Sequence, residues 1–249
     1  MKSIFWNSIK KSLFGLAIFL GVWFILSLFV DKIIVPSPWE IMQNASEISL
    51  ERDLSFHLGL TFKRLFVGFI VSFVLGTMIG IFSFYLKISS YIENIMSLLQ
   101  VIPGVIVGTL LLLAYGDGSI VPIGMIFIMI TPIVATNTVN GLLDHKKELI
   151  EVINVFGGGL KDIIAQVYIP KLIPVFKSNF LVCTALSLKI IILGEFIGCE
   201  NGLGFLFNNA RIFYNMQEVY LYLLLIILFA VAFQIFVQAL FLMLWKRYN

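Results

Sequence analysis

Charge is what this chain has least of. Only 12% of its 249 residues are Asp, Glu, Lys or Arg, and 60% are hydrophobic, whereas a soluble domain carries about a quarter charged residues. So little charge cannot cover a water-facing surface, which excludes a soluble globular fold and makes the chain an integral membrane protein. Cysteine is almost absent as well. Cys183 and Cys199 stand sixteen residues apart, about 24 Å along one helix at 1.5 Å per residue, too far for a mutual disulfide or a shared metal. His57 and His145 are isolated and no HExxH occurs, so no zinc-ligand spacing exists. No serine or cysteine has a base at a recognisable spacing, which leaves nucleophilic catalysis without support. The glycines Gly157-Gly158-Gly159 precede Leu160-Lys161, but GxxxxGK(S/T) is not met and no strand precedes them, so they are an elbow and no nucleotide site is present.

What the chain has is long oily runs. Six candidate spans fall at about 13–30, 60–86, 94–114, 120–143, 172–198 and 219–245, each near the ~20 residues a spanning helix needs. The first follows Lys2, Lys10 and Lys11 as in a signal peptide, but its core is long and no small-x-small cleavage site follows, so it reads as an uncleaved span. Trp23 within it is a packing or lipid-facing residue. In Val35-Pro36-Ser37-Pro38-Trp39-Glu40, Ser37 is placed to cap a helix and Pro38 to occupy its first turn. Ile41, Ala45 and Ile48 then give an amphipathic stripe suited to the outer interface. Gly76 and Gly80 are small-xxx-small, the spacing that lets helices approach closely within a subunit. Lys63 and Arg64 are expected to snorkel to the interface. Pro103-Gly104 should break the third run. Pro132, Thr131, Thr136, Asn137, Thr138 and Asn140 give the fourth run more hydrogen-bonding groups than lipid tolerates, so they face other helices or a wet passage.

Six spans put both termini on one side. Loops on that side carry Lys2, Lys10, Lys11, Lys87, Lys146, Lys147, Lys161, Lys171, Lys177, Lys246 and Arg247, against Lys32, Arg52, Lys63, Arg64 and Arg211 on the other, eleven to five. The positive-inside rule then makes both termini cytoplasmic, together with the loop 144–170. The most polar part of that loop, Glu151–Pro170, reads EVINVFGGGLKDIIAQVYIP. Helical spacing puts Leu160, Ile163, Ile164 and Val167 on one apolar face after the glycine elbow. The shape is a short helix, an elbow and a second helix re-entering the membrane, which is a docking element.

This stretch resembles the cytoplasmic loop of bacterial ABC-type importer permeases, whose pattern is E-A-A, three residues, G, nine residues, then I-x-L-P. Glu151 holds the acid, Gly157 the glycine and Val167-Tyr168-Ile169-Pro170 the close, with Val152 and Ile153 in place of the alanines. The resemblance runs from Val35 to the last span and is nearest the nitrate, sulfonate, taurine and thiamine-precursor group. Val35-Pro36-Ser37-Pro38, Ile102-Pro103, Pro132 with Asn137-Thr138, and Glu195 followed by Gly202-Leu203-Gly204-Phe205 resemble that group's motifs. The third run departs from the group in ending Leu113-Ala114-Tyr115-Gly116, as does Lys189, which stands in a stretch the group leaves uncharged.

The resemblance implies an all-α, six-span permease in the bacterial cytoplasmic (inner) membrane. It implies a coupling helix between spans four and five that sits in a cleft of a separate ATPase. Glu151, Ile153, Phe156, Gly157 and Pro170 would form that element, with Ile153 and Phe156 filling the cleft and Gly157 stopping the helix. The expected partners are cytoplasmic ABC ATPase subunits, which hold the ATP and Mg, a second permease copy in a homodimer, an extracytoplasmic substrate-binding protein and the lipid bilayer. No cofactor and no nucleic acid is bound by this chain. Pro103, Asn137, Lys189 and Glu195 are the candidate lining of the substrate path. A charge mid-span costs about 2.5–3.5 kcal/mol on insertion scales, so Lys189 faces a partner or a cavity. It either lines the path and attracts an anionic or electron-rich substrate, or holds helices together through Glu195 or another polar group. Six residues along one helix set Lys189 and Glu195 about 240° apart, which strains a direct pair. An ion-gradient-driven secondary transporter or channel is the alternative, since broken third and fourth spans suit it.

Overall fold

A computed structural model of the chain describes residues 2–144 and 147–244. The readings of His145 and Lys146 as loop residues, and of Trp245–Arg247 as the end of the last span, fall outside them. Among the described residues the chain is helical throughout, with no strand. In order the helices are α1 (Lys2–Phe29), α2 (Pro38–Glu51), α3 (Leu54–Tyr85), α4 (Ser89–Val101), α5 (Gly104–Tyr115) and α6 (Ile120–Leu143). They are followed by α7 (Lys147–Val155), α8 (Leu160–Ile163), α9 (Ile169–Gly198), α10 (Leu203–Ile212) and α11 (Met216–Leu244). Four helical stretches are long and apolar enough to cross a membrane: Leu54–Tyr85, Ile120–Leu143, Leu160–Gly198 and Met216–Val237. The pair α4 and α5, bent by 87°, makes a fifth if it is one span. The first expected span falls on α1, whose apolar stretch Phe14–Phe29 is shorter.

The chain packs as two units, one of Met1–Phe62 with Cys199–Asn249 and one of Lys63–Gly198. In the first unit Ser37 caps α2 through a capping box: Glu40 N–H donates to Ser37 Oγ at 3.3 Å, and Ser37 N–H donates to Glu40 Oε2 at 3.0 Å. Pro38, which lacks an N–H, sits where none is needed. Hydrogen bonds from Lys32 and from Ser37 hold the Glu40 carboxyl down at about 2. Trp23 is a packing residue: it is buried, stacks on Tyr220 at 5.2 Å and donates to the Pro36 carbonyl at 3.0 Å. Trp23, Ile41 and Leu221 thereby join α1, α2 and α11.

The second unit is built round α6, on which Val121, Met125, Ile126, Ile130, Val134, Ala135 and Val139 are fully buried. Glycines let the neighbouring backbones reach it. A Cβ on Gly76 would lie 2.8 Å from the Thr131 carbonyl oxygen, and one on Gly80 would lie 2.9 Å from that of Ala135, so α3 lies directly on α6. On another side α9 runs antiparallel to α6, with Gly194 against Pro122, Asn179 bonded to Asn137, and Val175 against Gly141. Phe69 and Phe73 of α3 meet Phe180 of α9 edge-on at 5.1 and 5.7 Å. Pro103 breaks the third run as expected: the residue before it, Ile102, is forced into extended backbone (ψ 121°), and α5 restarts at Gly104.

Substituting Gly80→Leu should lower the stability of the detergent-purified protein by about 1–3 kcal/mol through overpacking. Gly59→Leu on the same helix, where a Cβ meets nothing within 4 Å, should leave the unfolding midpoint unchanged. Thermal unfolding of the two variants side by side checks this.

Candidate functional site

The loop between α6 and α9 has a defined stop. Gly157 lies at φ +79°, its N–H donates to the Asn154 carbonyl at 3.0 Å, and Gly158 N–H donates to the Ile153 carbonyl at 2.8 Å. This pair of bonds is a Schellman turn, which needs the left-handed backbone that glycine adopts without a Cβ penalty. The turn decides which side chains of α7 are offered. Phe156 is 86% exposed, with Val155, Val152 and Leu149 exposed beside it. Ile153, expected beside Phe156, is half-buried and lies against Gly158, where a Cβ would meet its Cγ2 at 2.5 Å. Glu151 is exposed on the same short helix. The apolar face expected after the elbow is divided: Val167 is buried, while Leu160 and Ile164 are exposed.

The far end of the loop is anchored. Residues Ile164–Tyr168 form a π-helical turn, and Ile169 N–H bonds the Ile164 carbonyl. A proline removes one i to i−4 bond and crowds the carbonyl four residues back, and the wider turn accommodates Pro170 in the first turn of α9 without ending the helix. Tyr168 packs edge-on against Phe84 of α3 at 5.3 Å. Lys171 meets Asp144 at 2.9 Å, closing the base of the loop. Glu151, Ile153, Phe156 and Gly157 therefore lie on α7 or at its stop, and Pro170 lies in the first turn of α9.

The four residues expected to line a path have different surroundings. Pro103 marks the break beside an apolar cavity of about 500 Å3, lined in part by Ile79, Met96, Ile102, Leu111, Thr131 and Pro132. Asn137 donates to Asn179 Oδ1 at 2.7 Å; Asn179 is buried and its own amide nitrogen has no partner among the described residues. Lys189 is exposed on α9. Glu195 is fully buried, 2.9 Å from Arg64 Nη1, while Arg64 Nε donates to Ser119 Oγ at 2.9 Å. Arg64 thus does not snorkel: at 3% exposure it points inward to meet Glu195, because a buried carboxylate requires a partner charge. Lys189 and Glu195 are not paired.

In the first unit, residue types that looked isolated in sequence act together. His57 Nδ1 accepts from Gly202 N–H at 2.9 Å and Thr61 Oγ1 accepts from Leu203 N–H at 3.0 Å. Two side chains one turn apart on α3 therefore cap the N-terminus of α10, and Gly202, at φ +109°, makes the turn into it. This gives Gly202 and Leu203 a structural role at the start of α10.

With the geometry in place, comparison defines first the class of fold. The backbone is similar to a chain of the inward-facing MetNI methionine ABC transporter in two crystal forms. The TM-scores are 0.63, over 75% of this chain and 94% of that one, and 0.57, over 74% and 90%, each at 19% identity. The fold is that of a polytopic helical permease. Residues 72–249 match the family described as binding-protein-dependent transport system inner membrane component, and the chain belongs to that family. Among similar curated proteins, a putative aliphatic sulfonates transport permease protein, SsuC of Bacillus subtilis, is 28% identical over 84% of this chain and 77% of its own length. The formylaminopyrimidine transport permease protein ThiX of Halalkalibacterium halodurans is 21% identical over 80% of each chain. The nitrate import permease protein NrtB of Synechococcus elongatus is 19% identical over 78% of this chain and 74% of its own.

Glu195→Gln should destabilise the protein by about 3–5 kcal/mol by leaving the Arg64 charge buried without its partner, whereas the double change Arg64→Met with Glu195→Leu should restore most of the loss. Denaturant unfolding in detergent distinguishes the two.

Proposed function

We propose that this chain is the membrane-spanning subunit of an ATP-driven importer of the inner membrane, in which residues 144–170 receive the stroke of a separate ATPase. The observation that carries this is the exposed apolar end of α7, which is stopped by Gly157 and braced at Val167, Tyr168 and the Lys171–Asp144 pair. Phe156 is exposed together with Val155, Val152 and Leu149, and grouped apolar exposure of this kind marks a surface that a partner covers.

On this reading the chain crosses the membrane six times, counting α1 and the bent α4–α5 pair as spans, with both termini cytoplasmic. It forms one transmembrane domain and works with a second copy of itself. Phe156, Val152 and Val155 enter the ATPase cleft, Glu151 flanks them, and Ile153 supports the turn from behind. ATP and Mg are bound by the ATPase, and this chain catalyses nothing. When ATP draws the ATPases together the loop is carried inward and the passage opens outward, where an extracytoplasmic binding protein delivers the passenger. Hydrolysis returns the passage to face the cytoplasm.

Pro103, Asn137 and Lys189 border the passage, while Glu195 is a strut held by Arg64. The passenger is a small organic solute or anion. The relatives' named passengers include sulfonates and nitrate, which are anions, and formylaminopyrimidine, which is neutral, so family membership leaves its charge open. The broken α4–α5 pair also suits a gradient-driven transporter, and dependence of uptake on ATP separates the two.

Phe156→Ser should reduce the ATPase recovered with this chain at least about tenfold, since the burial of one Phe is worth about 1.5–3 kcal/mol. Gly157→Val, which forces a β-branched residue into left-handed backbone, should do the same. Phe156→Ser should keep the wild-type unfolding midpoint. Undiminished ATPase recovery in both would remove the coupling role of α7.

A further inference from the structure

Lys189 is set deep in the apolar helix α9 and is turned outward. It is nine residues before Gly198, where α9 ends, about 13 Å at helical rise. Twelve residues separate it from the next cation on the other side, Lys177. Snorkelling toward the Gly198 end is opposed by geometry, because helical side chains lean toward the helix N-terminus. Its flanking residues Leu188 and Ile190 are buried, so α9 is rotated to turn Lys189 away from the core of its own unit. Ser178, exposed on the same helix, falls within about 20° of the same line at 100° per residue, and with Lys189 it gives this apolar face a polar stripe.

Such a cation needs a counter-charge, and the chain has none to supply. Of its 14 acids, Glu195 in α9 is bound to Arg64 at 2.9 Å, and Glu218 in the first turn of α11 is bound to Arg52 at 3.0 Å. The other twelve lie in the connectors and the cytoplasmic loop, in α2, or at Glu93 near the start of α4. Among the described residues no acid pairs with Lys189.

We infer that the missing counter-charge is the passenger's: Lys189 is the specificity-determining cation of the passage, and the transported solute carries an oxyanion group such as a sulfonate, carboxylate or nitrate. An ammonium is a compact charge with three rotatable donors, suited to hold an oxyanion briefly without the fixed bidentate geometry of an arginine. This rests on the reading of the chain as an importer subunit.

The test uses the complete transporter, this chain with its ATPase and binding protein, in proteoliposomes. Labelled ethanesulfonate, nitrate and a neutral aminopyrimidine are offered singly to wild type, Lys189→Met and Lys189→Arg. The expected result is ATP-dependent uptake of an anion that falls about tenfold or more in Lys189→Met, the scale of one hydrogen bond to a charged group. Lys189→Arg should stay within a few-fold of wild type, and ATPase recovery should be equal in all three. ATP-dependent anion uptake that Lys189→Met leaves unchanged, or ATP-dependent uptake confined to the neutral solute, overturns the inference and leaves the importer reading standing. Uptake by wild type that needs no ATP removes that reading, and the inference with it.

Discussion

The second unit depends on backbone-to-backbone contact at α6. In lipid, apolar side chains gain nothing from meeting one another that they do not already have from the acyl chains, so helices associate where small residues let van der Waals surfaces fit. Gly76 and Gly80 supply that fit from α3, and Gly194 and Gly198 supply it from α9. With both helices seated on α6, Arg64 and Glu195 are brought within bonding distance in the dry interior, although they lie 131 residues apart in sequence. The ion pair follows from the glycine seats. Once formed it also makes other arrangements costly, because any rotation of α3 against α9 would strand a buried charge.

The same seating fixes the loop. α6 and α9 emerge side by side as an antiparallel pair, so their connector must leave and return at nearly the same place, and Lys171–Asp144 marks that place. Between these points the chain has only a nine-residue helix and a glycine turn with which to present an apolar end. The projection is short, and tyrosine packing and the π-helical turn root it in α3 and α9. A load applied at Phe156 would therefore pass into α3 and α9 rather than dissipate in a slack loop.

Much of this was legible in the sequence, because it depends on local rules. Pro103 followed by Gly104 marked a break, although Pro132 and Pro174 lie inside continuous helices; Ser37 and Glu40 stood at capping-box spacing, and Gly76 and Gly80 stood at the spacing of a helix contact. The loop's spacing located Gly157, since a left-handed turn is where glycine is required. Long-range pairing was not legible. Arg64 sits next to Lys63 at the start of an oily run and looks like an interfacial anchor, and only the rotation of α3 on α6 shows that it faces inward. His57 and Thr61 cap a helix 145 and 142 residues away, a partnership with no local signature. Ile153, expected to be offered with Phe156, is half-buried because the Schellman turn folds it under Gly158, a detail set by two hydrogen bonds rather than by periodicity.

On the proposed reading the tip of α7 is the point where force enters the protein. With Cys183 and Cys199 both buried, a single cysteine introduced by Val155→Cys, beside Phe156, reports directly on that point when a short thiol-to-amine cross-linker is applied in native membranes. The expected result is one dominant adduct with an ATPase subunit, whose yield changes when ATP is added. Abundant labelling of the cysteine without any ATPase adduct, with or without ATP, would contradict it.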